Sequence, residues 1–414
     1  MNTLKIDKPI RLIELFAGIG SQAKALKRLG VNFEHYRICE FDKYAIKSYN
    51  AVHGTDFATS DITQITADDI GIVDTDKYTY ICCYSFPCQD LSLAGKQRLM
   101  AKGSGTRSSL LWEVERLLNE CTELPQILLM ENVTQVHGKK NKEHFDEWIT
   151  FLESKGYKNY WKDLNAKNFG IPQNRNRCFM VSVLGDFTYE FPEEFPLKLR
   201  LKDMLEDSVD EKFYLSDAMI NRINTTTYTS GKKEHRVMNE KGVCRTLCAR
   251  DYKDPTCVEL EPTRLGGIYD TEKCKHQAGS VWDKETISPT VDTMQGGNRQ
   301  PLIISDPFIV SSRGRNPENP SDRTAGIHLE QRLEPNFSGC SNTLTTVQKD
   351  NYVAEPLSSL RIRKLTPKEC WRLMGFDDED FEKASKENSN TQLYKQAGNS
   401  IVVDVLCYIF GKML

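Results

Sequence analysis

Through its first 190 residues the chain alternates short apolar runs with segments whose apolar residues recur at helical spacing, and no other feature constrains its fold as much. "IRLIELFAG" reads as a strand ending in glycines, and "SQAKALKRLG" as a helix closed by Gly30. "FEHYRICEFD" is a second strand, followed by a helix, "KYAIKSYNAVHG", that stops at Gly54. "TYICCYSF", "QILLMEN" and "RCFMVSVLG" are further strands, with the amphipathic helix "SLLWEVERLLNE" lying between the first two of these. Strands that alternate with helices predict an α/β fold, a parallel sheet doubly wound with helices on both faces. Such sheets bind their ligands at the carboxyl ends of the strands.

From about Phe191 the texture changes. Thr, Asn, Gly and Pro rise through "TTTYTSGKKEH", "MQGGNRQP" and "RGRNPENPSDR", and three loosely related phrases recur: "CRTLCARDYKD", "SPTVDTMQGGN" and "SNTLTTVQKDN". This predicts a second, smaller, mostly β domain built on a repeated strand-turn element. Helical order returns in "LRIRKLTPKECWRLMGF", where Thr366 and Pro367 form an N-cap and N1 pair. "YKQAGNSIVVDVLCYIFGKML" then reads as a glycine turn leading into an apolar helix that completes the first domain. The expected division is residues 1–190 with 377–414 for the first domain, and 191–376 for the second domain and its hinge.

Composition narrows the function classes. A formal charge of -3 means that any nucleic-acid surface must be a local basic patch. No apolar run approaches the roughly 18–20 residues of a membrane span, and "MNTLKIDKPIRLIELFAG" lacks a signal-peptide pattern, so a cytoplasmic protein without membrane contact is expected. The 13 cysteines are odd in number and scattered, which reads as reduced thiols serving mostly as small apolar fillers.

Several motifs carry chemistry. "FAGIGSQA" holds Gly18, Gly20 and Ala23 in the spacing of a dinucleotide fingerprint between a strand and a helix. Glu40 ends the next strand, where a carboxylate grips ribose hydroxyls, and Asp61 in "TSDIT" can accept from an adenine amino group. These features suit an adenosine ligand, either NAD or S-adenosylmethionine. In "TYICCYSFPCQDLSLAG" a proline turn projects the Cys88 thiol from the end of a buried strand. A thiol is nucleophilic only as thiolate and needs a partner to activate it. "LLMENV" places Glu131 at another strand end, where burial would raise its pKa and make it a proton donor. "QNRNRCFMV" places Arg175 and Arg177 two apart on a strand, so both side chains are expected on one face. "AGKQRLMAKGSGTRSSLL" follows the thiol with four cations, Lys96, Arg98, Lys102 and Arg107, and reads as a mobile loop.

Taken in order, "FAGIGS", "FPCQDLS", "MENV", "QNRNRC", "RKLTPKECWRLMGF" and "QAGNS" resemble the motifs of C5-cytosine DNA methyltransferases of the bacterial or phage, restriction-modification type. The resemblance implies a Rossmann-like S-adenosylmethionine-dependent methyltransferase domain, and a target-recognition domain in the stretch from Phe191 to Leu357 that matches no motif. It also implies that Cys88 adds to C6 of a cytosine flipped out of duplex DNA, with Glu131 at N3, Arg175 against the base and Arg177 nearby. For the cofactor it implies Phe16 against the adenine, backbone approach at Gly18 and Gly20, and Glu40 on the ribose. Phe41, Asp61, Ile62, Pro87, Leu110, Asn399, Ser400 and Ile401 would complete that pocket. Gln89, Ser92, Lys96, Arg98, Lys102, Arg107, Arg313, Arg315 and Arg363 are the expected DNA contacts.

The resemblance further implies protection of host DNA against a restriction endonuclease that shares the site without stable binding, a monomer on double-stranded DNA, and residence in the bacterial cytoplasm or nucleoid. A tRNA cytosine-5 methyltransferase on the same fold is the alternative enzyme, and an inactive sequence-specific DNA-binding protein the alternative of another class. Intact Cys88, Glu131 and Arg175 weigh against the latter. An NAD oxidoreductase accounts only for the glycines. Cys244, Cys248, Cys257, Cys274 and His276 lack the paired spacing of a zinc site and are expected to be structural, and the family chemistry needs no metal.

Overall fold

A computed structural model describes residues 2–88, 91, 100–213, 237–239, 241–249, 256–259, 264–267, 280–283, 302–304, 308–315, 330–336, 351–354 and 362–414. The chain divides into two compact units, one formed by Met1–Val258 with Arg363–Leu414 and the other by Glu259–Ile362. Both divisions fall inside the stretch 191–376 that sequence texture sets apart.

The first unit is built on a six-stranded sheet. Its strands, in chain order, are β1 (Ile10–Leu15), β2 (Phe33–Cys39), β3 (Thr79–Tyr84), β4 (Ile127–Asn132), β5 (Tyr157–Asn165) and β6 (Asn176–Leu184). They lie in the order β2-β1-β3-β4-β6-β5. β1 pairs in parallel with β2 and β3, and β3 with β4. β6 runs antiparallel to both β4 and β5. The sheet is therefore doubly wound, but one strand is reversed where an all-parallel sheet is expected. β3 and β4 are buried along their whole length, as continuous apolar runs between two layers must be.

The intervening helices are α1 (Ser21–Arg28), α2 (Lys43–His53), α3 (Leu111–Glu120) and α4 (Lys142–Ser154). Asp42 caps α2 by accepting from the Tyr44 amide at 2.9 Å, and Gly54 ends it in the left-handed region at φ 73°. The return segment supplies α5 (Pro367–Arg372), α6 (Asp378–Glu387), α7 (Asn390–Asn399) and α8 (Val403–Gly411). Thr366 accepts from the Glu369 amide at 3.2 Å, with Pro367 at the first helical position, as the sequence predicts.

Strand alternation sorts the core into two layers. Ile13, Leu15, Tyr80, Cys82, Tyr84, Leu128, Met130, Cys178 and Met180 pack with Trp112 of α3 and Phe145, Trp148 and Leu152 of α4. On the opposite side α1 packs against α8. Cys407 of α8 donates to the Ala25 carbonyl, and Arg28 pairs with Asp404 at 3.2 Å. The C-terminal segment therefore completes the first unit. Its glycine, however, makes no turn: α7 runs through Gly398 to Asn399.

The described strands of the second unit form two three-stranded sheets. One joins Arg264–Gly267, Ser280–Asp283 and Leu302–Ile304, and the other Glu330–Asn336, Phe308–Arg315 and Asn351–Ala354. This is the mostly β texture expected of it. "SPTVDTMQGGN", and all but the last residue of "SNTLTTVQKDN", lie outside the described residues.

Candidate active site

The loop after β1 holds three residues in the left-handed region: Phe16 at φ 58°, Gly18 at φ 58° and Gly20 at φ 79°. For Phe16, a residue with a Cβ, that conformation costs on the order of 1–3 kcal/mol and is the kind of strain functional loops carry. Gly20 is required for a second reason, because a Cβ there would collide with the His53 imidazole and the Tyr49 ring of α2. Beneath the loop, buried Glu14 accepts from Tyr49 Oη at 2.6 Å and from the Ala23 amide at 3.3 Å. Burial pushes its carboxyl up to about 7.

Glu40 follows β2 and turns back to this loop. Its two oxygens accept from the amides of Gly18 and Asp42, both at 2.8 Å. Burial raises its pKa, and these amides pull it back down. Next to it Phe41 is 76% exposed, an aromatic face without cover from the described chain. Asp61 accepts from the Thr63 amide at 2.9 Å and hydroxyl at 2.8 Å, and the neighbouring Ile62 is buried. Leu110, half-buried, ends the short helical turn Arg107–Leu110.

Cys88 stands on the loop after β3, partly exposed. Two buried residues that sequence reasoning overlooked fix that loop. Asn132 Nδ2 donates to the Phe86 carbonyl at 2.9 Å, and Ser108 Oγ donates to the Pro87 carbonyl at 2.8 Å. Glu131, next to last in β4, is 8% exposed and pairs with Arg177 Nε at 3.2 Å. Because β6 runs antiparallel, its beginning lies at the same edge of the sheet as the carboxyl ends of its neighbours, which is how Arg177 joins the group. Burial pushes the Cys88 thiol up, Arg177 opposes this, Glu131 adds to it, and Arg175 again opposes it. Glu131 is likewise raised by burial and lowered by the two arginines.

The two arginines do not share one strand face as their spacing predicts, although the charges of both act on Cys88 and Glu131. Arg175 lies in the break between the two-residue strand Gln173–Asn174 and β6. Its guanidinium donates to the carbonyls of Leu247 at 3.0 Å, Gly398 at 3.2 Å and Ser400 at 2.6 Å. Desolvation first, and then Arg177, lower its pKa to about 9. Gln173, quoted in the motif but given no role, is fully buried and bridges the Leu373 carbonyl, at 2.7 Å, to the Leu247 amide, at 3.2 Å. Ser400 and Ile401 are buried, and the Ile401 amide donates to Ser21 Oγ at 3.3 Å, which ties the end of α7 to the start of α1. Asn399 is exposed.

The expected DNA contacts fare differently. Lys102 is already paired with Glu115 at 2.8 Å and Glu147 at 3.2 Å and lies over the Trp112 ring. Arg107 is exposed. Arg363 is a correction: it is buried and forms a two-pronged ion pair with Glu369 at 2.7 and 2.8 Å, with the Thr366 and Glu206 amides completing the carboxylate's shell. A guanidinium held in this way supports the entry to α5 and presents no face to DNA. Gln89, Ser92, Lys96 and Arg98 lie outside the described residues, and Arg313 and Arg315 are described only as the backbone of a strand. Of the five residues weighed as a zinc site, Cys244 and Cys257 are buried and Cys248 is partly exposed, while Cys274 and His276 lie outside the described residues.

Comparison with known proteins places the chain in a family. The family model "C-5 cytosine-specific DNA methylase" matches residues 10–414. The type II methyltransferase M2.ScrFI of Lactococcus lactis subsp. cremoris is 31% identical, with 98% of this chain and 99% of that protein covered. The orphan methyltransferase M.SPBetaI of Bacillus phage SPbeta is 29% identical over 98% of this chain and 97% of its own length. Among solved structures, the Entamoeba histolytica methyltransferase EhMeth has the same fold, with a TM-score of 0.62, 15% identity and 98% of both chains covered. Dnmt2 of S. pombe has a TM-score of 0.57 at 19% identity.

Proposed function

Because the chain belongs to the C-5 cytosine-specific DNA methylase family, we propose that Cys88, Glu131 and Arg177 methylate C5 of a cytosine flipped out of duplex DNA through a covalent intermediate on that base. The family membership makes the protein a DNA (cytosine-5-)-methyltransferase that uses S-adenosylmethionine. The edge of the sheet suits that cofactor: Gly18 has open space where a Cβ would point, Glu40 is anchored beside it, and Phe41 offers an exposed aromatic face to a purine. Phe16, Asp61, Ile62, Pro87, Leu110, Asn399, Ser400 and Ile401 border the same edge in this reading. When bound, the cofactor supplies the methyl group.

The chain's own residues supply the rest. C5 of cytosine is a poor nucleophile until a group adds at C6, and the Cys88 sulfur is the thiol at the candidate site. The Arg177 guanidinium favours thiolate over thiol. Glu131, raised by burial, can hold a proton at N3 of the base and relieve the negative charge that the attack creates. The C5 proton then leaves to solvent, and the cysteine is eliminated. Asn132 and Ser108 act as positioning residues, holding the two consecutive carbonyls, of Phe86 and Pro87, that lead into the sulfur-bearing residue. Arg175 also positions, by joining the 247 segment to the end of α7. The observation that carries this reading is the Arg177–Glu131 pair at the strand edge that bears Cys88. We further propose that the stretch 191–376, with Arg313 and Arg315, selects the target sequence as a monomer on DNA, and that methylation protects host DNA from an endonuclease of the same specificity.

Duplex DNA carrying 5-fluorocytosine tests the covalent step, because fluorine cannot leave as a proton does. A protein–DNA adduct stable in denaturant is expected with the parent enzyme and absent from Cys88→Ser, which should still bind duplex. Methyl transfer by Cys88→Ser at a rate near the parent's would overturn the mechanism.

A further inference from the structure

On the other face of the sheet from the candidate active site, three side chains converge from three elements. His137 ends the short helical turn Thr134–His137 that follows β4, while Asp163 of β5 and Cys178 of β6 are direct cross-strand partners. His137 Nε2 lies 2.9 and 3.2 Å from the two Asp163 oxygens, and the Cys178 thiol also donates to Asp163. The ligating atoms of all three lie within 4.8 Å of one another. Cys178 is fully buried and the other two are half-buried, so the cluster has a closed floor and a solvent side. The imidazole is fixed by Trp161, at 4.8 Å between ring centroids, and by Phe145 at 6.0 Å. Asn132 and Cys178 are cross-strand partners, as are Glu131 and Phe179, so alternation sends Cys178 to the face opposite Glu131 and Arg177.

We propose that His137, Asp163 and Cys178 bind a zinc-class divalent transition-metal ion. One imidazole, one thiolate and one carboxylate form a donor set that suits zinc or cobalt and not the oxygen-seeking calcium or magnesium. Ligand atoms of a tetrahedral site at ~2.0–2.3 Å from the metal lie ~3.3–3.7 Å apart. To meet that spacing His137 Nε2 and Asp163 would part slightly from 2.9 Å and the thiol would draw in from within 4.8 Å, leaving the fourth position to water. The proton balance is simple. Binding uses the thiolate, a carboxylate oxygen and the Nε2 lone pair of an imidazole whose proton sits on Nδ1, and the thiol gives its proton to solvent. One proton is released for each ion bound. The ion takes no part in methyl transfer; it clamps the turn after β4 to the outer strands β5 and β6. Without an ion, Asp163 simply accepts from both neighbours, and this is the arrangement that the test must separate from a metal site.

The test is a Co2+ titration of the full-length protein after chelator treatment. One equivalent should bring up a near-ultraviolet sulfur-to-cobalt charge-transfer band, which Zn2+ then displaces. Cys178→Ser should lose the band, while Cys88→Ser keeps it. His137→Gln, at a half-buried position, tests the site without disturbing the core. It should weaken Co2+ binding by at least the roughly 10–100-fold typical for losing a ligand's hydrogen-bonding partner. A folded protein that gives no band, a band that survives Cys178→Ser, or an affinity unchanged in His137→Gln would each overturn the proposal. Should Cys178→Ser fail to fold, the His137→Gln titration alone decides.

Discussion

At the scale of single residues, the thiol and the carboxylate were legible because each follows an apolar run that can only be a buried strand end. The setting of Arg175 was not. Spacing by two says that both belong near one strand face, but not that the chain breaks at Arg175 and spends its guanidinium on three carbonyls. Arg363 misleads for a related reason: a cation reads as surface charge until its buried partner, Glu369, is known. The electrostatics of Cys88 give a directional prediction. Burial holds its thiol above the ordinary range, the Arg177 charge lowers it, and the Glu131 charge raises it. Removing the cation should therefore move the rise of thiolate with pH further to the alkaline side, and removing the carboxylate should move it back. Alkylation of Cys88, followed peptide by peptide by mass spectrometry across pH, should show its midpoint shifting up in Arg177→Gln and down in Glu131→Gln. Shifts of the same sign would show that the charges do not act on the sulfur in this way.

At the scale of elements, the strands most legible in the sequence are those buried on both sides, β3 and β4, whose apolar runs carry no alternation to confuse. β5 escapes such reading because it is an edge strand with a mixed burial pattern, so "YKNYWKDLN" has neither a clean run nor a clean period. The reversal of β6 is equally hidden, since nothing in an apolar run records its direction. Gly398 invites the reading of a turn where α7 continues. The glycine is there for another reason: a Cβ at that position would collide with the backbone of Cys248 and Ala249. Gly398→Ala should therefore destabilise the protein by about 1–3 kcal/mol, the usual cost of forcing extra volume into a packed interior. Gly411→Ala, in open space at the end of α8, should be neutral or stabilising by up to about 1 kcal/mol. Thermal denaturation of the two variants beside the parent checks the contrast. Equal melting temperatures would mean that α7 docks on the 248–249 segment less tightly than the distances require.

At the scale of the whole molecule, the sequence announces two textures and a C-terminal return, and the first compact unit is split, Met1–Val258 being joined by Arg363–Leu414. Where the second unit begins is harder to read, because the loop-rich chain after Phe191 stays with the first unit as far as Val258. If residues of the second unit choose the target, Arg313→Ala or Arg315→Ala should relax the methylated motif at a base pair, since a good two-pronged hydrogen bond to a base edge discriminates by about 1–3 kcal/mol. Lys102→Ala, which removes a cation already held by two glutamates, should leave the motif unchanged. Bisulfite sequencing of DNA modified by each variant reads the motif directly, and a motif altered by Lys102→Ala alone would move recognition to the first unit. The split has a further consequence for synthesis on the ribosome. α1, which follows the glycine-rich loop, is made early, but its packing partner α8 and the Ser400 carbonyl that receives Arg175 emerge only after the whole inserted unit has been translated. A nascent chain stalled within the insertion therefore holds Cys88 and Glu131 without their supporting frame, so methylating competence arrives late in synthesis, after the segment proposed to choose the site.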